Sequence, residues 1–376
     1  MSLTEDLPLC NAAHPKHMKI LSYKGEYEVQ FVSDIRNALQ TLLQLGDVVL
    51  LDINVAEIYA ARFDNIFGNN KVILISPTEN QKSYQQVEPL IAELLADNFK
   101  RNYRLIAIGG GITQDTCSFI ASILFRGVDW IFVPTNLLAQ ADSCIGSKTS
   151  LNFAHYKNQL GGFHPPKLIL LDTCFLQTLD QREIRSGLGE ILHYFLISGY
   201  DAMERFEREY SRALHDTETL QGLIQQSLGI KKTMIECDEF DRGPRNIFNY
   251  GHSFGHALES YTDYAIPHGI AVSFGMDIAN EVSVALGFME AQEASAMRNV
   301  IEKIWWPCDF PEVDLDRFLA LLGKDKKNIG TSLRFVLSRG PGKMFLHSVG
   351  DQALLRDILS KKFTYFFNEA KKHGHR

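Results

Sequence analysis

The chain has 376 residues, with 38 lysines and arginines against 45 aspartates and glutamates, and a formal net charge of −7 at pH 7. This length suits two domains of ordinary size better than one small core. The negative net charge argues against non-specific binding to nucleic acids or to anionic membranes, because both require a basic surface. An apolar fraction of 45% and a charged fraction of 22% are typical of globular proteins.

Cysteine usage and the N-terminal segment bear on the cellular compartment. The six cysteines lie far apart without a C-x-x-C pair, so neither a zinc ribbon nor a disulfide scaffold is indicated. Residues 1–19 are polar and contain two prolines, and no apolar run reaches transmembrane length. We therefore expect a cytoplasmic protein with reduced thiols.

Between residues 19 and 172, short apolar runs alternate with amphipathic stretches. The apolar runs predict strands buried on both faces, as in a parallel sheet, at 48–52, 71–76, 104–108, 130–134 and 167–172. Helical periodicity occupies the intervals at 34–45, 55–67, 83–99 and 115–126. This alternation predicts an α/β domain with a Rossmann-like, doubly wound parallel sheet over residues 1–175.

The pattern changes after residue 175. Apolar residues at helical spacing predict helices at 182–199, 202–215, 219–236, 253–261, 270–286, 291–304 and 315–322. We predict an all-α C-terminal domain over residues 176–376. Because no flexible linker separates the halves, we expect them to pack directly and to leave a cleft.

A glycine turn follows the predicted strand at 104–108. Gly109, Gly110 and Gly111 lead directly into a predicted helix, and such a turn lets backbone N–H groups approach a pyrophosphate closely. The turn does not have the G-x-G-x-x-G spacing, so an ordinary strand-to-helix turn is an equal alternative.

Polar side chains follow two neighbouring predicted strands. Asp52 and Asn54 come at the end of one strand, and Glu79 and Lys82 follow the next. Open α/β sheets bind ligands outside the carboxyl ends of their strands, where an acidic side chain can hold ribose hydroxyls. Asp52 and Asn54 could equally be helix-capping residues.

A second group of residues has the composition of a metal site. His252 and His256 lie one helical turn apart on the same face, His268 follows a short loop, and Glu190 lies on an earlier helix. A carboxylate with two imidazoles and an open coordination position is what a catalytic Zn²⁺ requires. An isolated pair of histidines at this spacing is more often an ordinary surface or core pair.

Several cations occur in locally distinctive stretches of this acidic chain: Lys148, Lys157, Lys231, Arg245 and the pair Lys326 and Lys327. Converging cations would suit a substrate that carries both phosphate and carboxylate, because each prefers charge-assisted hydrogen bonds from lysine and arginine. Solvated surface lysines are the alternative.

Taken together, these motifs resemble those of 3-dehydroquinate synthase and its sugar phosphate cyclase relatives. The motifs are G-G-G at 109–111, R-G-V at 126–128, V-P-T-N-L-L-A-Q-A-D-S at 133–143, K-N at 157–158, G-E at 189–190 and R-N-I-F-N-Y-G-H-S-F-G-H at 245–256. They occur in consistent order over residues 20 to 350, which makes them far more specific than the histidine pair alone.

The resemblance implies NAD and a divalent metal, Zn²⁺ or Co²⁺. The implied NAD contacts are Asp52, Asn54, Glu79, Lys82, Gly109, Gly110, Gly111, Asp115, Thr135, Asn136, Asp142, Lys148, Lys157 and Thr178. The implied metal ligands are Glu190, His252 and His268. In this interpretation His256 stays unligated and handles protons, instead of binding the metal beside His252.

The resemblance also implies the residues that surround the substrate. Substrate binding is assigned to Arg126, Lys148, Asn158, Lys231, Arg245, Asn249 and Lys327. Catalytic roles are assigned to Asp142, Lys148, His193, Arg245, Asn249 and His256. Arg126 is expected to reach the phosphate site of a neighbouring subunit, which would make a homodimer part of the active site.

The implied reaction is an NAD- and metal-dependent cyclisation with phosphate elimination, carried out by a carbon–oxygen lyase. The substrate expected first is 3-deoxy-D-arabino-heptulosonate 7-phosphate, which becomes 3-dehydroquinate in the shikimate pathway of aromatic amino acid biosynthesis. Retention of Lys231 and Asn249 favours this acid substrate.

Two positions depart from the family pattern: His193 stands where the family has lysine, and Ile270 where it has glutamate. His193 therefore keeps open a related cyclase of secondary metabolism that acts on a different sugar phosphate. A metal-dependent polyol dehydrogenase of similar fold is a further alternative, which would release NADH.

Overall fold

A computed structural model describes residues 16–154, 156–305, 308–323 and 333–373 of the chain. Among these residues, one compact unit runs to Leu179 and a second begins at Asp180. None of the helices in the described part is both long and apolar enough to cross a membrane.

In its described residues, the N-terminal unit contains nine β-strands and five α-helices. The strands are β1 His17–Ser22, β2 Gly25–Phe31, β3 Val48–Asp52, β4 Lys71–Ile75, β5 Leu105–Gly109, β6 Trp130–Pro134, β7 Lys148–Phe153, β8 Tyr156–Phe163 and β9 Leu168–Leu171. The helices are α1 Ile35–Leu42, α2 Ile53–Ile58, α3 Ala60–Phe63, α4 Tyr84–Ala96 and α5 Gly111–Ile123.

Seven of these strands form one sheet in the order β1-β2-β9-β6-β5-β3-β4, in which only the β1–β2 pair is antiparallel. Every residue of β3, β5 and β6 is buried, as expected for strands covered by helices on both faces. The predicted α/β class with a parallel sheet is confirmed.

The core on one face of this sheet consists of alternate strand residues packed under helices. Val49 and Leu51 of β3 and Ile106 and Ile108 of β5 belong to it, together with Leu39 of α1. Because successive side chains of a strand point to opposite faces, the intervening residues face the other side. Two-sided burial explains why these strands are apolar throughout.

The sheet has a switch point between β3 and β5. From β3 the chain crosses to β4 on one side, whereas from β5 it crosses to β6 on the other. In open α/β sheets the crevice at such a point, outside the carboxyl ends of the strands, is where ligands bind. β3 ends at Asp52 and β5 ends at Gly109, so both residues lie at this crevice.

A two-stranded hairpin of β7 and β8 stands apart from the main sheet and packs against α4 and α5. This hairpin was not predicted from the sequence, because the residues of β8 are all exposed or half-buried and show no apolar alternation. It carries Lys148, Lys157 and Asn158.

The C-terminal unit is mainly helical. Its helices are α6 Gln181–Ser198, α7 Tyr200–Ala213, α8 Thr217–Cys237, α9 His252–Tyr261, α10 His268–Ala285, α11 Ala291–Trp305, α12 Leu315–Gly323 and α13 Gln352–His373. α10 is central, packed against α6, α9, α11 and α13, and residues 269–280 are all buried.

The prediction of an all-α C-terminal half omitted a β-hairpin, and its seven helices did not include α13. Strands β10 Leu333–Ser338 and β11 Met344–Val349 form an antiparallel hairpin that packs against α10. The amide of Ser338 donates to the hydroxyl of Ser283 on α10, which fixes the hairpin to that helix.

Candidate active site

Glu190, His252 and His268 converge within the C-terminal unit. Glu190 lies in the middle of α6, while His252 and His268 are the first residues of α9 and α10. Oε2 of Glu190 lies 3.7 Å from Nε2 of His252 and 3.7 Å from Nε2 of His268. Two ligands about 2.1 Å from a tetrahedral Zn²⁺ are about 3.4 Å apart. The spacing therefore fits one ion bound by all three side chains.

The other ring nitrogens of these histidines face hydrogen-bond acceptors. Nδ1 of His252 lies 3.2 Å from the carbonyl oxygen of Tyr250, and Nδ1 of His268 lies 3.1 Å from Oε2 of Glu259. A carbonyl or carboxylate can only accept, so Nδ1 carries the proton in both rings. The Nε2 lone pairs are then turned toward Glu190, in the arrangement typical of metal-bound histidine.

The carboxylate of Glu190 provides an independent test of the fit. Glu190 is 2% exposed, and its Oε2 has no hydrogen-bond partner in the described part of the chain. A buried anionic oxygen without a partner is costly, and a cation between it and the two imidazoles would remove that cost. The residues present therefore fit a divalent metal.

His256 is close enough to be a rival ligand. One nitrogen from each of His252, His256 and His268 lies within 4.8 Å of the others. His256 is exposed, whereas Glu190 is buried with an unsatisfied oxygen. We regard the trio with Glu190 as the better ligand set, because only that set resolves the buried charge.

Glycines set the helix crossings that bring these ligands together. A Cβ on Gly269 would lie 1.8 Å from the carbonyl oxygen of Ser186, and a Cβ on Gly189 would lie 2.3 Å from the carbonyl oxygen of Gly269. α6 and α10 thus cross backbone to backbone beside Glu190. The amide of Gly269 also donates to the hydroxyl of Ser186, which ties the start of α10 to α6.

The predicted anion-binding residues of this unit lie on neighbouring elements. Lys231 is buried on α8, while Arg245 and Asn249 lie on a short 3₁₀ helix, Pro244–Asn249, which contacts α6, α8 and α9. Arg245 donates from Nη1 to the carbonyl of Glu239. Lys327 lies outside the described residues.

The two departures from the family pattern are both buried. His193 lies on α6 one turn after Glu190 and is fully buried, with its Nδ1 3.4 Å from Oε1 of Glu190. Ile270 is fully buried on α10 and contributes to the helix core. His193 is therefore close enough to the candidate metal ligands to act on them.

In the N-terminal unit, the glycine turn forms the start of α5. A Cβ on Gly109 would lie 2.5 Å from Oγ1 of Thr113, and one on Gly110 would lie 2.6 Å from Nδ2 of Asn136. A Cβ on Gly111 would meet nothing within 4 Å. Gly109 is thus required by close packing, Gly110 lies against the amide end of Asn136, and Gly111 borders open space at a helix N-terminus, which fits a bound pyrophosphate.

Other predicted nucleotide contacts surround this turn. The amide of Thr135 donates to the carbonyl of Gly109. Asp52 accepts from the amides of Asn54 and Val55, so it caps α2 as the alternative interpretation proposed. Burial raises the pKa of Asp52, and the two amides partly offset that shift.

A polar network joins the β7–β8 hairpin to the loop after β4. Lys82 Nζ lies 2.5 Å from Oδ2 of Asp115 and donates to Oδ1 of Asn158 at 2.6 Å. Lys157 Nζ lies 3.3 Å from Oε1 of Glu79. Loss of hydration raises the pKa of Asp115, which the Lys82 ammonium partly offsets. The structure therefore pairs these cations with carboxylates and brings predicted NAD and substrate residues together.

Asp142 and Lys148 lie on the chain leading into this hairpin. Asp142 belongs to a π-helical turn, Ala139–Ser143, and Lys148 is the exposed first residue of β7. π-Helical turns are rare and frequently occur at functional sites.

One predicted site residue, Arg126, is not gathered with the others. Arg126 follows the end of α5 opposite Gly111, roughly 20 Å away for a helix of this length. The hydroxyl of Thr178 is hydrogen bonded to that of Tyr59 at 2.8 Å.

Glu259, which lies beside His268 at the candidate metal site, was not predicted from the sequence. It lies seven residues after His252 and three after His256, so all three share one face of α9. The spacing of Glu259 from the two histidines indicates a shared helix face, but a single glutamate on a helix is usually a surface residue.

Comparison with known proteins identifies the family of this chain. The family model described as 3-dehydroquinate synthase N-terminal matches residues 72–186, and the one described as 3-dehydroquinate synthase C-terminal matches residues 187–328. The 3-dehydroquinate synthase of Sulfurovum sp. (strain NBC37-1) is 36% identical over 292 residues, which cover 77% of this chain and 83% of that protein. The chain belongs to the 3-dehydroquinate synthase family.

Further similarities agree with that membership. The 3-dehydroquinate synthase of Helicobacter pylori (strain ATCC 700392 / 26695) is 36% identical over 292 residues, which cover 77% of the present chain and 84% of the Helicobacter protein. A solved structure of 2-deoxy-scyllo-inosose synthase, complexed with carbaglucose-6-phosphate, NAD⁺ and Co²⁺, has a TM-score of 0.80 at 23% identity, over 91% of this chain and 99% of that one. The predicted resemblance, fold class and carbon–oxygen lyase class are confirmed.

Proposed function

We propose that this member of the 3-dehydroquinate synthase family converts 3-deoxy-D-arabino-heptulosonate 7-phosphate to 3-dehydroquinate with release of phosphate, as a step of the shikimate pathway. Family membership supports the reaction type. The observation that carries the proposal is the buried Oε2 of Glu190, which has no hydrogen-bond partner among the residues that the structure describes and faces two imidazole nitrogens at 3.7 Å.

Two bound groups complete the site. Bound NAD⁺ supplies a reversible hydride acceptor, so the reaction has no net redox change. The cofactor has to stay bound between removal of the hydride and its return. A bound Zn²⁺ or Co²⁺ supplies a Lewis acid that polarises the substrate oxygens. Glu190, His252 and His268 would hold the metal. Gly111 and the start of α5 would receive the pyrophosphate of NAD.

The remaining roles divide between the two units. Residues 1–175 form the NAD-binding domain, with Asp52, Lys82 and Asn136 among its contacts. Residues 176–376 form the domain that binds metal and substrate. His256 is exposed and its ring lies 5.4 Å from that of His252 and 5.6 Å from that of His268. It can therefore move protons to and from a substrate oxygen beside the metal.

The phosphate and carboxylate of the substrate require several cations and amides. Charge-assisted hydrogen bonds from such groups fix both position and charge. We assign this role to Lys148, Asn158, Lys231, Arg245, Asn249 and Lys327, with Asp142 and Lys148 also serving catalysis.

Product analysis tests the function directly. The protein is incubated with NAD⁺, Zn²⁺ and each candidate sugar phosphate, and both released phosphate and the ring product are measured. We expect phosphate release with 3-dehydroquinate formation and no net change in absorbance at the NADH band. Cyclisation of a different sugar phosphate alone would identify a related cyclase, and net NADH formation from polyols would identify a dehydrogenase; either result contradicts the proposal.

We further propose that the protein acts in the cytoplasm as a homodimer in which Arg126 serves the phosphate site of the other subunit. The position of Arg126 at the far end of α5 from the glycine turn supports this assignment. Closed two-fold dimers are the most common soluble oligomers.

Subunit mixing tests the shared site. Arg126→Ala and Glu190→Gln are each expected to be nearly inactive as homodimers. A heterodimer purified through two different affinity tags contains one site with both native residues and one with neither, so we expect about half of the wild-type activity per dimer. If Arg126 serves its own subunit, each site of the heterodimer lacks one residue and no activity returns.

A further inference from the structure

His193 is a buried polar side chain on α6, beside Glu190. It is 0% exposed, and neither Nδ1 nor Nε2 has a hydrogen-bond partner among the described residues. Buried polar groups are nearly always hydrogen bonded, so an imidazole left in this state points to a partner that engages in the working enzyme.

Aromatic side chains hold this ring in place. The ring of Tyr250 is stacked on it at a centroid distance of 6.3 Å, and the rings of Tyr194, Phe248 and His252 contact it edge-on at 5.0, 6.2 and 4.8 Å. The imidazole therefore cannot swing to a distant acceptor.

The nearest acceptor is the second oxygen of Glu190. Nδ1 of His193 lies 3.4 Å from Oε1 of Glu190, while Oε2 of the same carboxylate faces His252 and His268. The two oxygens of Glu190 thus have different neighbours. A shift of a few tenths of an ångström would bring Nδ1 and Oε1 to hydrogen-bond distance.

We propose that His193 is a positioning residue: its Nδ1–H donates to Oε1 of Glu190 in the metal-loaded protein and so presents Oε2 alone to the metal. The inference rests on the proposed function, since it presumes that Glu190 is a ligand. A carboxylate held by one oxygen leaves more coordination positions for substrate oxygens than one bound by both. Hydrogen bonds to ligands from outside the coordination sphere commonly set both their orientation and the metal affinity.

Three substitutions distinguish the roles of the two ring nitrogens of His193. In His193→Asn the amide nitrogen can take the place of Nδ1, in His193→Gln it can take the place of Nε2, and His193→Phe keeps a ring with no donor. Zn²⁺ affinity is measured by competition with a chromogenic chelator, and coordination is followed by the visible absorption of bound Co²⁺. Melting curves of the metal-free proteins verify folding.

We expect His193→Phe and His193→Gln to bind Zn²⁺ about 10- to 100-fold more weakly and to change the Co²⁺ spectrum. A loss of this size is typical when a residue that hydrogen bonds to a metal ligand is removed. His193→Asn should keep affinity within about threefold and retain the wild-type spectrum. Equal affinity in all three variants, or equal loss in all three, would overturn the inference. If the wild-type protein itself binds no Zn²⁺, both the inference about His193 and the proposed function are wrong.

Discussion

Gly269→Ala is expected to destabilise the protein by roughly 3 kcal/mol, the upper part of the usual range for an overpacked core, and to weaken metal binding at the same time. A Cβ at this position would lie 1.8 Å from the carbonyl oxygen of Ser186, which is helix backbone and cannot move aside as a flexible side chain could. α6 and α10 would have to separate. Because Glu190 lies on α6 and His268 begins α10, their 3.7 Å approach would widen.

The matched control is Gly229→Ala. Gly229 also lies within a helix, α8, but a Cβ there meets nothing within 4 Å. That substitution should raise stability by about 0.5–1 kcal/mol through the loss of glycine's backbone freedom. Thermal melting and Zn²⁺ titration of both variants provide the measurement. Similar behaviour of Gly269→Ala and Gly229→Ala would refute the account of the helix crossing.

Glu190→Gln is expected to lower cyclase activity by at least about 1,000-fold, equivalent to roughly 4 kcal/mol of transition-state stabilisation. The substitution keeps the size of the side chain but replaces the anionic oxygen that faces His252 and His268. A neutral amide oxygen is a weak ligand for Zn²⁺, so metal binding should be lost with activity.

When metal is absent, Glu190→Gln should not destabilise the protein. Oxygen Oε2 of Glu190 is buried and has no hydrogen-bond partner within the described ranges of the chain, so removing its charge should leave the metal-free protein as stable as the wild type or more stable. Zn²⁺ at 100 times its dissociation constant should stabilise the wild type by about 2.7 kcal/mol and the variant by almost nothing. Thermal melting with and without Zn²⁺ measures both effects.

Glu204→Gln on α7 is the control, because Glu204 is exposed and the substitution is chemically identical. It should alter stability by less than about 0.5 kcal/mol and keep the full response to Zn²⁺. A Glu190→Gln protein that gains as much stability from Zn²⁺ as this control would show that the carboxylate is not a ligand.

The strands at the centre of the main sheet could be predicted because their burial is complete. β3 and β6 have the predicted bounds, and β4, β5 and β9 differ by one residue at their ends. Seven helices of the second half were likewise predicted, and each begins and ends within two residues of its prediction, whereas α13 was not predicted. The spacing of apolar residues reflects which side chains are buried. It therefore predicts the strands and helices that have a buried face.

The remaining elements carry too little of that signal. The β7–β8 hairpin is polar, so neither it nor the pairing of Lys82 with Asp115 and Asn158 could be foreseen. The predicted helix at 55–67 is broken at Tyr59, between α2 and α3. α5 begins four residues before its predicted start, directly at Gly111, because glycines weaken helical periodicity without preventing a helix from starting.

The candidate site was partly foreseeable from chemistry. The spacing of His252 and His256 indicated a metal, but only the family resemblance singled out Glu190 and His268. Their separations along the chain carry no geometric information. It is the crossing of α6 and α10 at Gly189 and Gly269 that brings them together, and the need for glycine at those positions appears only in three dimensions.

The central claim is that Glu190, His252 and His268 bind one divalent cation. The most direct measurement is anomalous diffraction at the zinc edge from crystals grown with Zn²⁺ and NAD⁺. We predict one peak about 2.0–2.2 Å from Oε2 of Glu190 and from Nε2 of both histidines. A peak held by His252, His256 and His268 with Glu190 turned away, or no peak among these four side chains, would contradict it.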